Sequence, residues 1–420
     1  MNHPWLTVVG MGDDGPDGLA PAARAVVGQA RVVVGGQRHL DLLGPGEREH
    51  IPWPKPFNTL NETLERLHHR GHAVCVLATG DPTCYGVGSI LARRFGPEAV
   101  RIIPAPSAFS LACARLGWAA QTVQTLSLHG RPLELVQPFI QPGVRLLVLS
   151  SNANTPGEVA RVLCERGYGG SRLTVLSHLG GEKERMHAAT ADSYRTNDAV
   201  ADLNTLAIEC VAGPGSHLIP RIPGLADELY EHDGQLTKRE VRAMTLAALG
   251  PVPGQLLWDI GAGCGSIGIE WMRAHPDCRA VAIEPDAGRV AMIAANAAAL
   301  GTPGLEVVSG RAVAALEGLA PPDAVFVGGG ITEPGLLDRC WSALAPGGRL
   351  VANVVSVEGE AVLDRWHSAH GGSLIRVAIT RCEPLGRFRG WRPLMPVTQL
   401  AATKGDDEAV ATTGTKEQGG

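Results

Sequence analysis

The sequence predicts an α/β protein of two domains in series, on three observations. Short β-rich runs alternate with helix-length segments through the first half, the pattern of strands joined by helices. Residues 255–284, QLLWDIGAGCGSIGIEWMRAHPDCRAVAIE, read as an apolar strand, a glycine turn, a helix and a second strand closing on Glu284. Between the two, residues 213–236 (GPGSHLIPRIPGLADELYEHDGQL) are rich in Gly and Pro without a sustained period and read as a linker. The domains are therefore expected over residues 1–212 and 237–401, with 402–420, polar and built of small residues, as a disordered tail.

The strands of the first half are expected in LTVV (6–9), ARVVVGG (30–36), AVCVLATG (73–80), RIIPA (101–105), VRLLVLSS (144–151), RLTVLSHLG (172–180) and NTLAIECV (204–211). Three of their ends carry turn chemistry. VVGMGDDGPDGL (8–19) places Gly10, Gly12 and Gly15 directly after a strand, but the next strand ends in glycines and a base with no ribose-binding acid. No G-K-S/T follows either, so neither a dinucleotide nor a phosphate loop is indicated. LATGDPTCYGVGS (77–89) and IPAPSAFSLACARLG (103–117) each run from strand through a Gly/Pro or Pro/Ser turn into a helix. Such turns offer backbone N–H and C=O groups at the carboxyl edge of a sheet, where ligands bind.

In the second half, TKREVRAMTLAAL (237–249) opens with Thr237 and Glu240 in a capping-box arrangement, which predicts a helix with Thr237 as its N-cap. The following strand ends in Asp259, ahead of Gly261, Gly263 and Gly265. Gly263, Gly265 and Gly268 satisfy G-x-G-x-x-G, yet an acid beside the turn is unfavourable to a pyrophosphate and suits a cationic ligand such as S-adenosylmethionine. Glu284, roughly 20 residues on, is placed to accept from ribose hydroxyls.

Composition bounds the function. With 45% hydrophobic residues over 420 positions and a net charge of -5, the chain reads as soluble and cytoplasmic. It has no basic field for nucleic acid, and 4% aromatics offer few platforms for bases. The N-terminus runs into a strand with no charged start and long apolar stretch, and no segment is long enough to span a membrane. Nine cysteines stand singly, without a C-x-x-C pair, and read as reduced core thiols with neither a metal site nor a disulfide framework.

VGMGDDG, TGDPTCYG and PAPSAFS, in that order, resemble the tetrapyrrole (corrin and porphyrin) methylase family, whose fold has two α/β subdomains holding S-adenosylmethionine in the cleft between them. The resemblance implies cofactor contacts at Thr79, Gly80, Asp81, Cys84, Ser107 and Ala108, with Gly10 to Asp13 bordering a tetrapyrrole trough. Ala105 stands where the family has glycine. LTKREVRAMTL, DIGAGCGSIGIE, VAIEPD, VVSGRAVAAL, DAVFVGGG and LAPGGRLVANVVSVE resemble a class I Rossmann-like methyltransferase acting on corrin precursors. That likeness implies a second S-adenosylmethionine site at Thr237, Gly261, Ala262, Gly263, Cys264, Gly265, Glu284 and Ala312, with Asp259 at its turn. Thr237 would turn a helix N-terminus toward the methionine carboxylate, and Ala312 would leave room for the adenine.

Together the two resemblances imply methylation of a precorrin at ring carbons 5 and 15, with loss of the ring C acetate carboxyl, in cobalamin biosynthesis. They cover nearly the whole chain. A homo-oligomer and a tetrapyrrole partner are expected. Positioning and an electrophilic sulfonium carry such chemistry, so no catalytic base is nominated. His129, His178 and His187 read as packing or surface histidines. Lys183, Arg185, Arg387, Arg389 and Arg392 are the candidates for holding substrate carboxylates. Two other readings stand beside this one: an NAD-dependent oxidoreductase fused to a ligand-binding domain, and a catalytic C-terminal domain with a first half that only scaffolds the tetrapyrrole.

Overall fold

The structure is a computed structural model that describes residues 4–195 and 200–405. It divides into two compact units, one of residues 1–133 and 139–218, the other of 134–138 and 219 onward. The tail expected over 402–420 falls mostly on 406–420, outside the described residues. Residues 402 and 403 lie within the last strand.

Unit 1 holds two five-stranded sheets. The first contains β1 (Leu6–Met11), β2 (Val32–Gly35), β3 (Glu49–Pro52), β4 (Val74–Thr79) and β5 (Val100–Ile103), ordered β3-β2-β4-β1-β5 and parallel throughout. Both faces are covered, so β1, β2 and β4 are continuous apolar runs: Val8, Val34 and Val76 go to one side, Val9, Val33 and Leu77 to the other. The second sheet contains β6 (Val123–Ser127), β7 (Arg145–Leu149), β8 (Arg172–Ser177), β9 (Arg185–Thr190) and β10 (Asn204–Glu209) in the order β6-β7-β10-β8-β9, with only β6 and β7 parallel.

Unit 2 is a seven-stranded sheet of β11 (Leu256–Ile260), β12 (Arg279–Glu284), β13 (Glu306–Ser309), β14 (Ala324–Val327), β15 (Arg349–Val354), β16 (Ser373–Val377) and β19 (Val397–Thr403). The exposed hairpin of β17 (Thr380–Leu385) and β18 (Phe388–Pro393) stands apart from that sheet. The order β13-β12-β11-β14-β15-β19-β16 reverses between β11 and β14, and β19 alone is antiparallel to both its neighbours. A cleft forms at such a reversal, outside the carboxyl ends of the strands.

Two expectations are corrected here. The stretch 213–236 is irregular, but its latter part is no free linker: Ile219, Leu225, Tyr230 and Leu236 are buried in the core of unit 2. Glu270, on the helix Ser266–Ala274, accepts from the Gly224 and Leu225 amides at 2.6 and 3.0 Å and from the Tyr230 hydroxyl at 2.9 Å. Arg242, fully buried, donates to Glu270 at 2.6 Å and to the Leu225 carbonyl. A buried ion pair must have its remaining valences filled, and this segment fills them. Thr237 is not an N-cap: the helix spans Arg239–Leu249 behind Lys238 with no side-chain cap bond. The Thr237 carbonyl instead accepts from Arg242 and the Glu240 carboxylate from Arg381, both at 2.6 Å, which takes the capping-box partners elsewhere.

Candidate functional site

Each unit carries a large cleft. In unit 1 a cleft of about 600 Å³ opens at the carboxyl edge of the first sheet, with the second sheet contributing its other wall. The three glycine and proline turns meet here through backbone alone. The Gly80 amide donates to the Met11 carbonyl at 3.1 Å, and the Ala105 amide donates to the Gly80 carbonyl at 3.3 Å. A Cβ on Gly10 would lie 2.0 Å from the Gly80 oxygen, and Gly80 has φ +59°. Neither position admits a side chain. Ala105 does not adopt a positive φ, so alanine in place of the family's glycine imposes no strain.

Thr79, Gly80, Asp81, Cys84, Ser107 and Ala108 all line this cleft, as do Gly12 and Asp13 of the first turn, whereas Gly10 is sealed into the seam behind it. Ser107 caps the helix Ala108–Leu116 by accepting from the Ser110 amide at 3.1 Å, and the start of that helix lines the cleft. Asp81 folds back on Thr83, accepting from its amide at 2.8 Å and its hydroxyl at 2.7 Å. Burial, then the neighbouring Asp81, pushes the Cys84 thiol up, which keeps it protonated and unreactive. Cys84 is half-buried and Cys164 and Cys382 are exposed, so the cysteines are not uniformly core thiols; all nine are free.

Among the polar residues that the sequence did not place here, Arg38, His39, His129 and Arg131 line this cleft, and His178 stands beside it. Arg38 donates to Asp13 at 2.5 Å and to Thr79 at 3.2 Å, and His39 lies 3.3 Å from the Thr79 hydroxyl. Burial, then Arg38, pushes His39 down to about 4, so it stays neutral. Arg131 covers the Tyr85 ring at 5.1 Å. His178 pairs with Asp13 at 2.8 Å. Arg38 and His39 lie in the first turn of the helix Gln37–Leu43 that follows β2, and that position at a carboxyl edge was the available signal.

In unit 2 a cleft of about 1420 Å³ sits at the strand-order reversal. Gly261 has φ +68° and a Cβ there would meet the Gly329 Cα at 2.6 Å, while Gly263 has φ +60°. Backbone therefore forms the floor. Thr237, Gly261, Ala262, Gly263, Cys264, Glu284 and Ala312 line the cleft. Glu284, ending β12, accepts from the Gly263 amide at 2.8 Å and from the Asp286 amide at 3.2 Å.

Asp259 and Gly265 do not line it. Asp259 is wholly buried and accepts from the Gly268 amide at 2.8 Å; burial, opposed by that bond and aided by Glu284, pushes its carboxyl up to about 7. It pins the turn to its helix rather than facing a sulfonium. Gly265 begins that helix at φ +81°, and a Cβ would press on Ile293 at 3.0 Å. Asn353, absent from the sequence reading, does line the cleft, its amide set by Thr245 at 2.8 Å and Gln399 at 2.9 Å.

None of the five cationic residues expected to hold substrate borders either cleft. Lys183 and Arg185 are exposed near β9. Arg387, Arg389 and Arg392 project from the β17–β18 hairpin, Arg387 over Phe388 at 4.9 Å and Arg392 toward Glu383 at 3.4 Å. Lys238, Arg289 and Arg311 line the second cleft instead. Among the described residues no helix is long and apolar enough to cross a membrane.

The family profile described as Tetrapyrrole (Corrin/Porphyrin) Methylases matches residues 5–194, and that of the Precorrin methyltransferase domain matches residues 228–404. The chain is 50% identical over 405 residues to a precorrin-6Y C(5,15)-methyltransferase [decarboxylating] of Sinorhizobium sp, covering 96% of this chain and 97% of that one. Two relatives from Salmonella typhimurium are about half as long. A cobalt-precorrin-7 C(5)-methyltransferase is 34% identical over 46% of this chain and 97% of its own. A cobalt-precorrin-6B C(15)-methyltransferase (decarboxylating) is 31% identical over 43% of this chain and 96% of its own.

Proposed function

The chain belongs to the precorrin-6Y C5,15-methyltransferase (decarboxylating) family, an S-adenosylmethionine-dependent enzyme of cobalamin biosynthesis, and from that premise we propose that it binds two molecules of S-adenosylmethionine, one in each cleft. The observation that carries this reading is the pair of clefts at the carboxyl edges of two differently ordered sheets, each floored by glycines that tolerate no Cβ. Backbone of that kind admits the close approach of a nucleoside, and Glu284 adds a carboxylate suited to ribose hydroxyls. The oxidoreductase reading has no remaining support.

S-adenosylmethionine supplies an electrophilic methyl group. In the first cleft Gly80, Asp81, Cys84, Ser107 and Ala108 would hold it, and in the second Gly261 to Cys264, Glu284 and Ala312, with Thr237 near the methionine end. The protein's task is alignment over a few ångströms, so one site cannot serve two distant carbons. We assign carbon 5 to unit 1 and carbon 15 to unit 2, together with decarboxylation of the ring C acetate. The half-length relatives, named for carbon 5 and for carbon 15 with decarboxylation, support that division. Arg38 and Arg131 in the first cleft, and Lys238 and Arg311 in the second, replace the five surface cations as holders of substrate carboxylates. Lys238 and Arg311 make no ion pair among the described residues. A cytoplasmic homo-oligomer completes the proposal; the exposed Leu385, Phe388 and Trp391 on the hairpin are surface that a second copy would cover.

Product mass tests the division. Ser107→Trp, which fills the first cleft, is expected to leave a product with one methyl gained and carbon dioxide lost. Glu284→Arg is expected to prevent both methylation at carbon 15 and decarboxylation. Two methyls from either variant at the unmodified rate would refute the assignment.

A further inference from the structure

We propose that His178, oriented by Asp13, is the proton acceptor for methylation at carbon 5, an inference that rests on the assignment of that methylation to unit 1. A meso carbon bearing hydrogen must lose a proton once alkylated. As the C5–CH3 bond forms from ring π electrons, the S–CH3 pair remains on sulfur as a neutral thioether, and the ring carries the positive charge. The C5–H bond then breaks, its electron pair returns to the ring, and the proton passes to a base.

Within the first cleft Asp13 has both oxygens engaged, Oδ1 by Arg38 at 2.5 Å and Oδ2 by His178 Nδ1 at 2.8 Å. A carboxylate only accepts, so the neutral imidazole carries its hydrogen on Nδ1 and its lone pair on Nε2. Nε2 has no hydrogen-bond partner among the described residues, and the side chain is 26% exposed. A base steered through its far nitrogen by a carboxylate is the arrangement used for general-base catalysis. His39 cannot serve in its place: it is buried and its Nε2 is already met by Arg38 and Thr79.

Backbone geometry is the second observation. His178 follows β8 with φ +52°, and Tyr85, on the cleft wall, is the other described non-glycine residue at positive φ. Such a conformation persists where surrounding structure imposes it, and it is concentrated at functional sites. The turn that imposes it closes on Asp13: a Cβ on Gly181 would fall 2.6 Å from Asp13 Oδ2, and the Gly181 amide donates to the His178 carbonyl at 3.0 Å. His178 stands beside the cleft rather than in its lining, held there by Asp13, which lines it together with Leu176 and Leu179.

The test is His178→Gln in the full chain, which keeps an N–H for Asp13 but removes the basic nitrogen. S-adenosylmethionine binding is expected to persist, while kcat for carbon 5 methylation falls by about 100-fold or more with little change in KM. Substrate deuterated at carbon 5 should then show an enlarged isotope effect on kcat, a readout that a merely structural tie would not move. His178→Asn, whose side chain tolerates the left-handed backbone, is expected to behave alike should the glutamine variant unfold. An unmodified kcat in either folded variant, with Ser107→Trp inactive at carbon 5, would overturn the proton acceptor alone, as would a fall in kcat with no change in isotope effect. Carbon 5 methylation surviving Ser107→Trp would overturn the assignment to unit 1 and this inference with it.

Discussion

Replacing Glu284 by alanine should remove one of two S-adenosylmethionine sites without unfolding the chain. The carboxylate is 2% exposed and accepts from the Gly263 amide at 2.8 Å and the Asp286 amide at 3.2 Å, which fixes it in the cleft wall. Hydrogen bonds to a charged acceptor contribute about 1.5–3 kcal/mol each. Losing two ribose contacts at the low end of that range costs about 3 kcal/mol, or roughly 150-fold in Kd. The Gly263 amide loses its partner but borders the cleft, where water replaces the carboxylate, so the cost to folding stays near ~1 kcal/mol. Arg289 keeps its bond to Asp233 at 2.9 Å and is not stranded. Calorimetric titration should give two sites in the unmodified protein and, at ligand concentrations that saturate it, one in the variant. Two sites of unchanged affinity after the substitution would show that Glu284 does not hold a ribose.

Tyr230→Phe, which deletes the hydroxyl donating to Glu270 at 2.9 Å, should lower stability in urea by about 1–3 kcal/mol. A fragment beginning at residue 219 should unfold cooperatively, whereas one beginning at 237 lacks Leu225 and Tyr230 and should not. Asp259 is held at about 7 by burial, against an ordinary value of 3.8, so between those values the unfolded chain releases a proton that the folded chain keeps. Its contribution to stability is therefore lost as pH rises from about 4 to about 7, and the stability of Asp259→Asn relative to the unmodified protein should increase between pH 5 and 8 by on the order of 1–4 kcal/mol. A constant difference in urea unfolding at the two pH values would contradict this. Trp391→Glu, at a side chain 73% exposed, should reduce the assembly's mass by light scattering while leaving the thermal midpoint near its original value; an unchanged mass would remove the hairpin from the interface.

What the sequence disclosed follows from how each feature is physically encoded. Strands covered on both faces, such as β4 and β11, are continuous apolar runs, and the turns at their carboxyl edges need glycine because a Cβ would collide with backbone; both leave marks in the residues themselves. β9 is mostly exposed and β3 only half-covered, so neither had an apolar run to betray it. Asp259 departs from its expected role because the pleat of β11 sets its direction. Along β11, Leu256, Trp258 and Ile260 face one side, so Asp259 must share the opposite face with Leu257, beneath the helix that carries Gly268. That parity was available from the strand alone. The cations failed for a different reason: density of charge marks a solvated hairpin, whereas Arg38 and Arg311 stand singly just past β2 and β13, where a sheet edge turns one side chain into a cleft. His178 had no such mark. Its partner Asp13 lies 165 residues away, and only the meeting of β8 with the turn after β1 converts an unremarkable histidine into one with an oriented ring and a free nitrogen.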